Sequence, residues 1–193
     1  MFRNRILTNN EHLQDFISTT IANLEHIRAN GANREYSFDI NCSDLEDYNY
    51  IDIRKAEKFS QLFTELAHIK GPTLYRIEIL SDMDRRQIIE ALNAYKASPG
   101  AKVTPALRPH INYDSNTLYV GKVKQIFWGR LIQHLGYFKV DATQGLQLFY
   151  WAKGMGLTLR FHIMEFDTNM ADSMPIIEMA FAKKFDPIIG KHK

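Results

Sequence analysis

Cysteine is almost absent from this chain: Cys42 is the single one in 193 residues. That excludes an intramolecular disulfide and a multi-cysteine zinc site, and it leads to the expectation of a reducing, cytoplasmic setting. Nothing in DINCSDLED around it favours a thiolate nucleophile. Long apolar runs are missing as well. No stretch approaches the roughly 20 residues needed to span a bilayer, so no membrane partner is expected. The opening MFRNRILTNNEHLQ has neither an apolar signal-peptide core nor a small-residue cleavage site, which again leads to a cytoplasmic expectation. Internal repeats and low-complexity tracts are absent too.

What is present is ordinary in bulk, with 45% hydrophobic and 24% charged residues. Such a chain can bury a sizeable core as one domain, or as one domain with a small appendage. The net charge of +2 hides an asymmetry. Residues 1–70 carry 8 Lys+Arg against 11 Asp+Glu, whereas residues 71–193 carry 16 against 11. Between Thr117 and Val140, Lys122, Lys124, Arg130 and Lys139 meet no acid until Asp141. A basic C-terminal part is compatible with an anionic partner.

Hydrophobic periodicity divides the chain into elements. Asn9 or Asn10 can cap a helix to about residue 29, with Leu13, Phe16, Ile17 and Ile21 on one face. REYSFDIN (34–41) alternates as a strand, and residues 54–69 read as a second amphipathic helix. Lys70-Gly71-Pro72 breaks the chain and marks the boundary of a helical N-terminal region, residues 1–70. TLYRIEIL (73–80) is a strand. A helix from Asp82 or Asp84 to about 97 and an irregular, proline-bearing connection form an insertion at 81–116. LYVG is the next strand, and a helix follows to about 135. A further helix is expected from Thr143 through Tyr150, then a strand over 157–166 and a last helix from Asp172 or Ser173 to about 184. The expected fold is α/β of the α+β kind: a small, largely antiparallel central sheet flanked by helices.

Several polar residues are out of place in that pattern. On the helix after Lys122, Trp128, Leu131, Ile132 and Leu135 form a core stripe. Phe127, Arg130 and His134 are expected on the displayed face, either as solvated residues or as a surface for a nucleotide. Glu178 lies among Met174, Ile177, Phe181 and Phe185. A carboxylate on an apolar flank needs either an ion-pair partner or a metal. GKVK lacks the glycines and hydroxyl of a phosphate-binding P-loop. KGMGL follows a helix rather than a strand, and His162 reads as a packed or edge histidine. Tyr75 and Tyr119 alone would be ordinary sheet residues.

Together these residues form a pattern. TLYRI around Tyr75 and LYVGK around Tyr119 resemble the two strand motifs of the GIY-YIG nuclease family. Arg130, with His134 one turn later, resembles the arginine helix that follows the second motif. Glu178 in MPIIEMAF is similar to the family's metal-binding glutamate. The resemblance covers residues 71–193, and the order of elements agrees once the 81–116 insertion is set aside. Thr73 and Leu74 stand where the family name has Gly and Ile. The family's late asparagine has no counterpart, and Gly190 and Lys191 stand near its place.

The resemblance implies a DNA endonuclease, with duplex as the expected partner and Mg²⁺ or Mn²⁺ as the cofactor. Glu178 would hold the metal, Arg130 would stabilise phosphoryl charge, and Tyr75, beside Tyr119, would orient the water or take its proton. His134 would share that proton or touch the phosphate. Lys122, Lys124, Phe127 and Lys139 are the expected nucleic-acid contacts. A non-catalytic nucleic-acid-binding module and a protein-interaction domain are the alternatives.

Overall fold

The computed structural model describes residues 8–47, 52–139, 142 and 144–191. Four strands form one antiparallel sheet: β1 (Arg34–Asn41), β2 (Thr73–Ile79), β3 (Thr117–Val123) and β4 (Thr158–Glu165). Their spatial order is β1-β4-β2-β3, so β4 and β2 are central and β1 and β3 lie at the edges. The helices are α1 (Asn9–Asn30), α2 (Ser60–Leu66), α3 (Arg85–Ala97), α4 (Phe127–Leu135), α5 (Leu148–Trp151) and α6 (Met174–Phe185). The protein is thus a mixed α+β fold with an N-terminal helix.

Strand alternation assigns the two faces. Tyr75, Ile77 and Ile79 of β2 and Leu159, Phe161 and Ile163 of β4 point into the larger core, which α2, α3, α4 and α5 cover. Leu74, Val120 and Met164 point the other way, beneath α6 and the C-terminal end of α1. The expected boundary near residue 70 does not divide the core. Ile40, Leu45, Ile53, Phe59 and Phe63 pack in the same cluster as Tyr75 and Phe161, and all eight residues of β1 pair with β4. The 81–116 insertion joins it too, with Tyr95 of α3 stacked on Tyr150 of α5 at 5.5 Å.

Two helices are shorter than their periodicity predicts. Within 54–69, a 3-10 turn at Ile53–Lys55 precedes α2, whose regular part is Ser60–Leu66. The helix expected from Thr143 begins only at Leu148, after Gln147 adopts a left-handed conformation; Thr143 itself lies outside the described residues.

The apolar face expected on α1 is a larger departure. Leu13, Phe16, Ile17 and Ile21 are each about half exposed, between 46 and 56%. The helix docks through its C-terminal half instead. Asn23 bonds the Asn169 carbonyl and the Ser173 hydroxyl, and Ile27 reaches the smaller core. Thr8 and Glu11 close a reciprocal capping box at its start, so the helix has a defined end without apolar cover there. Periodicity reports an amphipathic helix but not which turns have a partner.

A stability contrast follows from this arrangement. Ile17→Ser on the open stripe should shift the urea midpoint by no more than the equivalent of about 0.5 kcal/mol, as for other exposed positions. Phe161→Ala, in the fully buried centre of β4, should cost about 3–5 kcal/mol. Equal losses would mean that α1 is packed as tightly as the sheet.

Candidate functional site

β2 and β3 pair so that Tyr75 faces Gly121 directly. That register explains the glycine in the strand. A Cβ at Gly121 would lie 2.5 Å from the Tyr75 hydroxyl and 2.6 Å from Tyr119 Cε1, so both phenol rings rest in the space it leaves. Tyr75 is wholly buried, with Phe127 edge-on at 5.3 Å and the Tyr119 ring at 6.1 Å.

A buried phenol must find partners for its hydroxyl, and α4 supplies two. His134 Nε2 is 2.7 Å from the Tyr75 oxygen, and Arg130 Nε–H donates to that oxygen at 3.2 Å. The backbone N–H of Leu146 donates to His134 Nδ1 at 3.2 Å. Nδ1 therefore carries no proton, and the neutral ring must bear it on Nε2 and donate it to Tyr75. Burial, then the charge of Arg130, holds the imidazole well below its ordinary value.

This arrangement changes the expected roles. α4 buries Phe127, Leu131, His134 and Leu135, while Trp128 and Ile132, expected in the core, are only partly covered. The helix is rotated because His134, with both ring nitrogens satisfied inside, is compatible with the core. Phe127, expected as a stacking surface for a base, has no exposed ring face. His134 is enclosed and cannot touch a phosphate from solvent. Tyr75, expected to meet the water, is enclosed as well. Its hydroxyl is pushed far above the ordinary phenol value, by burial first and then by the neighbouring Tyr119, against the opposing pull of Arg130.

The phenol that borders solvent is Tyr119, 8% exposed. It lines a pocket of about 460 Å³ together with Gln144, Glu178, Gly190 and Lys191. Pro105 and Ala106 of the insertion form another wall, and Thr104 Oγ1 there has no hydrogen-bond partner among the described residues. The chain end is held in place along β3: Ile188 and Ile189 donate to the Thr117 and Leu118 carbonyls, and Gly190 donates to that of Ala106. Arg130 stands behind this lining. Its Nη2 donates to the Gln144 carbonyl at 3.0 Å and its Nη1 to Gln133 Oε1 at 2.7 Å. It offers the pocket a fixed positive charge more than a free fork of donors.

Glu178, on α6, reaches the same pocket, and Lys122 Nζ lies 3.0 Å from its Oε2. The ion pair accounts for a carboxylate on an apolar flank. Lys124 is likewise paired, to Asp172 at 2.8 Å, whereas Lys139 is exposed. Among the described residues no three His, Cys, Asp or Glu side chains cluster as a ligand set. The pocket's donor set is therefore one carboxylate. That fits a hydrated Mg²⁺ or Mn²⁺ completed by waters and a phosphate, not an ion caged by protein. Cys42 is no competing nucleophile, since burial pushes its thiol up to about 12.

Sequence reasoning missed the supports of the cluster. Gln133, Gln144 and the Leu146 N–H carry no motif signal, since two of the three contacts are made by backbone atoms. Gly121 had one: a glycine inside a strand points to a close approach. No protein-family model, no curated protein and no solved structure matches the chain.

Two outcomes test the buried cluster. Gly121→Ala should destabilise the fold by about 1–3 kcal/mol, because the rings must move. The second is a pH dependence. Unfolded, His134 takes up a proton near its ordinary value of 6.5; folded, it does not. Its contribution to stability is complete above that value and is lost as the pH falls through it. Melting temperatures should fall between about pH 7 and about pH 5, and the slope should be shallower in His134→Gln. Equal slopes would mean that His134 is protonated within the fold.

Proposed function

We propose that the chain is a metal-dependent DNA endonuclease of the GIY-YIG kind, hydrolysing phosphodiester bonds at the pocket beside β3. One observation carries this reading. Tyr119 and Glu178, from distant parts of the chain, border one polar pocket, and Arg130 is bonded to the Gln144 carbonyl in its wall.

A phosphodiester brings negative charge that repels a nucleophile and grows on its oxygens as the bond breaks. Arg130, anchored by Tyr75, Gln133 and Gln144, supplies positive charge that need not reorganise during reaction. Lys191 on the rim adds a second cation. Glu178 is the residue that would hold Mg²⁺ or Mn²⁺, and the bound ion would supply Lewis-acid polarisation of the phosphoryl group. Tyr119 is the phenol placed to orient the attacking water. Tyr75 acts behind it, packing its ring 6.1 Å from that of Tyr119 and accepting from Arg130.

A second reading also has an observation behind it. The Lys122–Glu178 pair satisfies both groups without a metal, as in a non-catalytic nucleic-acid-binding or protein-interaction module.

Plasmid nicking with and without Mg²⁺ or Mn²⁺ separates the two. Under the nuclease reading, Glu178→Gln abolishes nicking and leaves DNA binding and the melting temperature nearly intact. Arg130→Ala costs about 3 kcal/mol of transition-state stabilisation, roughly a hundredfold in rate. Tyr119→Phe should lose more activity than Tyr75→Phe. Under the second reading, wild type cuts no DNA with either metal, and Glu178→Gln lowers the melting temperature instead.

A further inference from the structure

The solvent-facing side of α4 has a second hollow on its other flank. Trp128 lines a pocket of about 560 Å³ whose apolar floor includes Phe63 and Ala67 and whose polar edge includes Arg54, Lys55 and His68. The Arg54 guanidinium lies over the indole, 5.5 Å from the ring centre. Asp52 holds it there through hydrogen bonds of 2.8 and 2.7 Å. The indole N–H has no hydrogen-bond partner among the described residues. The indole packs against the larger core and the guanidinium lies over it, so both border the apolar floor of the hollow, with Asp52 and the Lys55 ammonium at its edge. Flat π-faces next to cations suit a nucleobase with its phosphate.

Helical phase puts Trp128 and Arg130 about 200° apart around α4, with Gly129 between them on the open side. A glycine inside a helix costs stability relative to alanine, and nothing in the fold demands this one. Its backbone is not left-handed, and an added Cβ would meet only Ile126 Cγ2, at an ordinary 3.5 Å. Ile126 itself is strained: a β-branched residue at φ 59° with half its surface exposed. Ile126 turns the chain into α4, and Gly129 donates to its carbonyl at 3.1 Å; a strained residue and a costly glycine joined in this way leave room for an outside group to approach closely.

We propose that a nucleic-acid strand crosses α4 at Gly129, with its scissile phosphate in the Tyr119–Glu178 pocket and an unstacked base in the Trp128–Arg54 hollow. This deepens the nuclease reading by naming the substrate as a single-stranded or locally opened segment rather than closed duplex. The Trp128 hollow binds the base, and the glycine lets the sugar–phosphate backbone lie against the helix.

The test uses the full-length protein, a labelled single-stranded oligonucleotide, the matching duplex, and inorganic polyphosphate as a probe without bases. Trp128→Ala should weaken single-strand binding about tenfold, the scale of one lost base–aromatic stack, and leave polyphosphate binding unchanged. Trp128→Phe should recover part of the loss. Gly129→Ala should move two readouts in opposite directions, raising the melting temperature while weakening oligonucleotide binding several-fold. Unchanged oligonucleotide binding in both variants overturns the proposal, as does equal loss of polyphosphate binding in Trp128→Ala. Tighter binding of closed duplex than of single strand, or binding of an acidic aromatic peptide in place of the oligonucleotide, also overturns it. The nuclease reading fails separately, when wild type binds the strand through Trp128 yet cuts nothing with either metal.

Discussion

The arrangement of this protein turns on one buried hydroxyl, that of Tyr75. Its ring needs the space above Gly121, and its oxygen needs the donors of His134 and Arg130. A buried polar group without partners costs about 1–3 kcal/mol, so the cluster is stable only when complete. Completing it draws four parts of the chain together: β2 brings the phenol, β3 the glycine and the second tyrosine, α4 the two donors, and the stretch before α5 the carbonyl and N–H that orient them. The rotation of α4 follows. With His134 turned inward, Trp128 is left at the surface beside Arg54, and Gly129 lies between the two hollows.

Charge is organised by the same folding. The stretch from Thr117 to Val140 is purely basic along the chain, yet α6 and the turn before it return acids to it. Glu178 meets Lys122 and Asp172 meets Lys124. The second pair is open to solvent, where ion pairs contribute little and yield to salt. The first is partly enclosed and sits where a phosphate or a cation would compete for its members. An edge strand also needs cover, and β3 receives it at its start from residues 188 and 189. That cover places Gly190 and Lys191 on the pocket wall, so a structural requirement of the sheet builds part of the candidate site.

Much of the fold was legible in the sequence because it rests on local periodicity. β1 spans the residues its alternation marks, and β2, β3 and β4 match theirs to within two residues at each end. Asp84 caps α3, and Ser173 precedes α6. Periodicity failed where it depends on a partner. The stripe on α1 is amphipathic but mostly uncovered. On α4 the expected stripe was half buried: Leu131 and Leu135 are enclosed, while Phe127 and His134 take the places expected for Trp128 and Ile132. Hydrophobicity alone ranks Trp128 and Ile132 above His134; hydrogen bonding reverses that order once both imidazole nitrogens are satisfied.

The sequence by itself determined the elements, their order, and the residue types able to act on a phosphate: two tyrosines, an arginine, a glutamate and nearby lysines. Those are matters of spacing and side-chain chemistry, which a chain carries locally. Only the tertiary structure decided which of them meet solvent. It enclosed Tyr75, His134 and Phe127, left Tyr119 at the pocket, paired Glu178 with Lys122, and left Trp128 partly covered. The reason is that burial and pairing are set largely by neighbours distant in the chain, whose approach depends on satisfying every polar group they enclose.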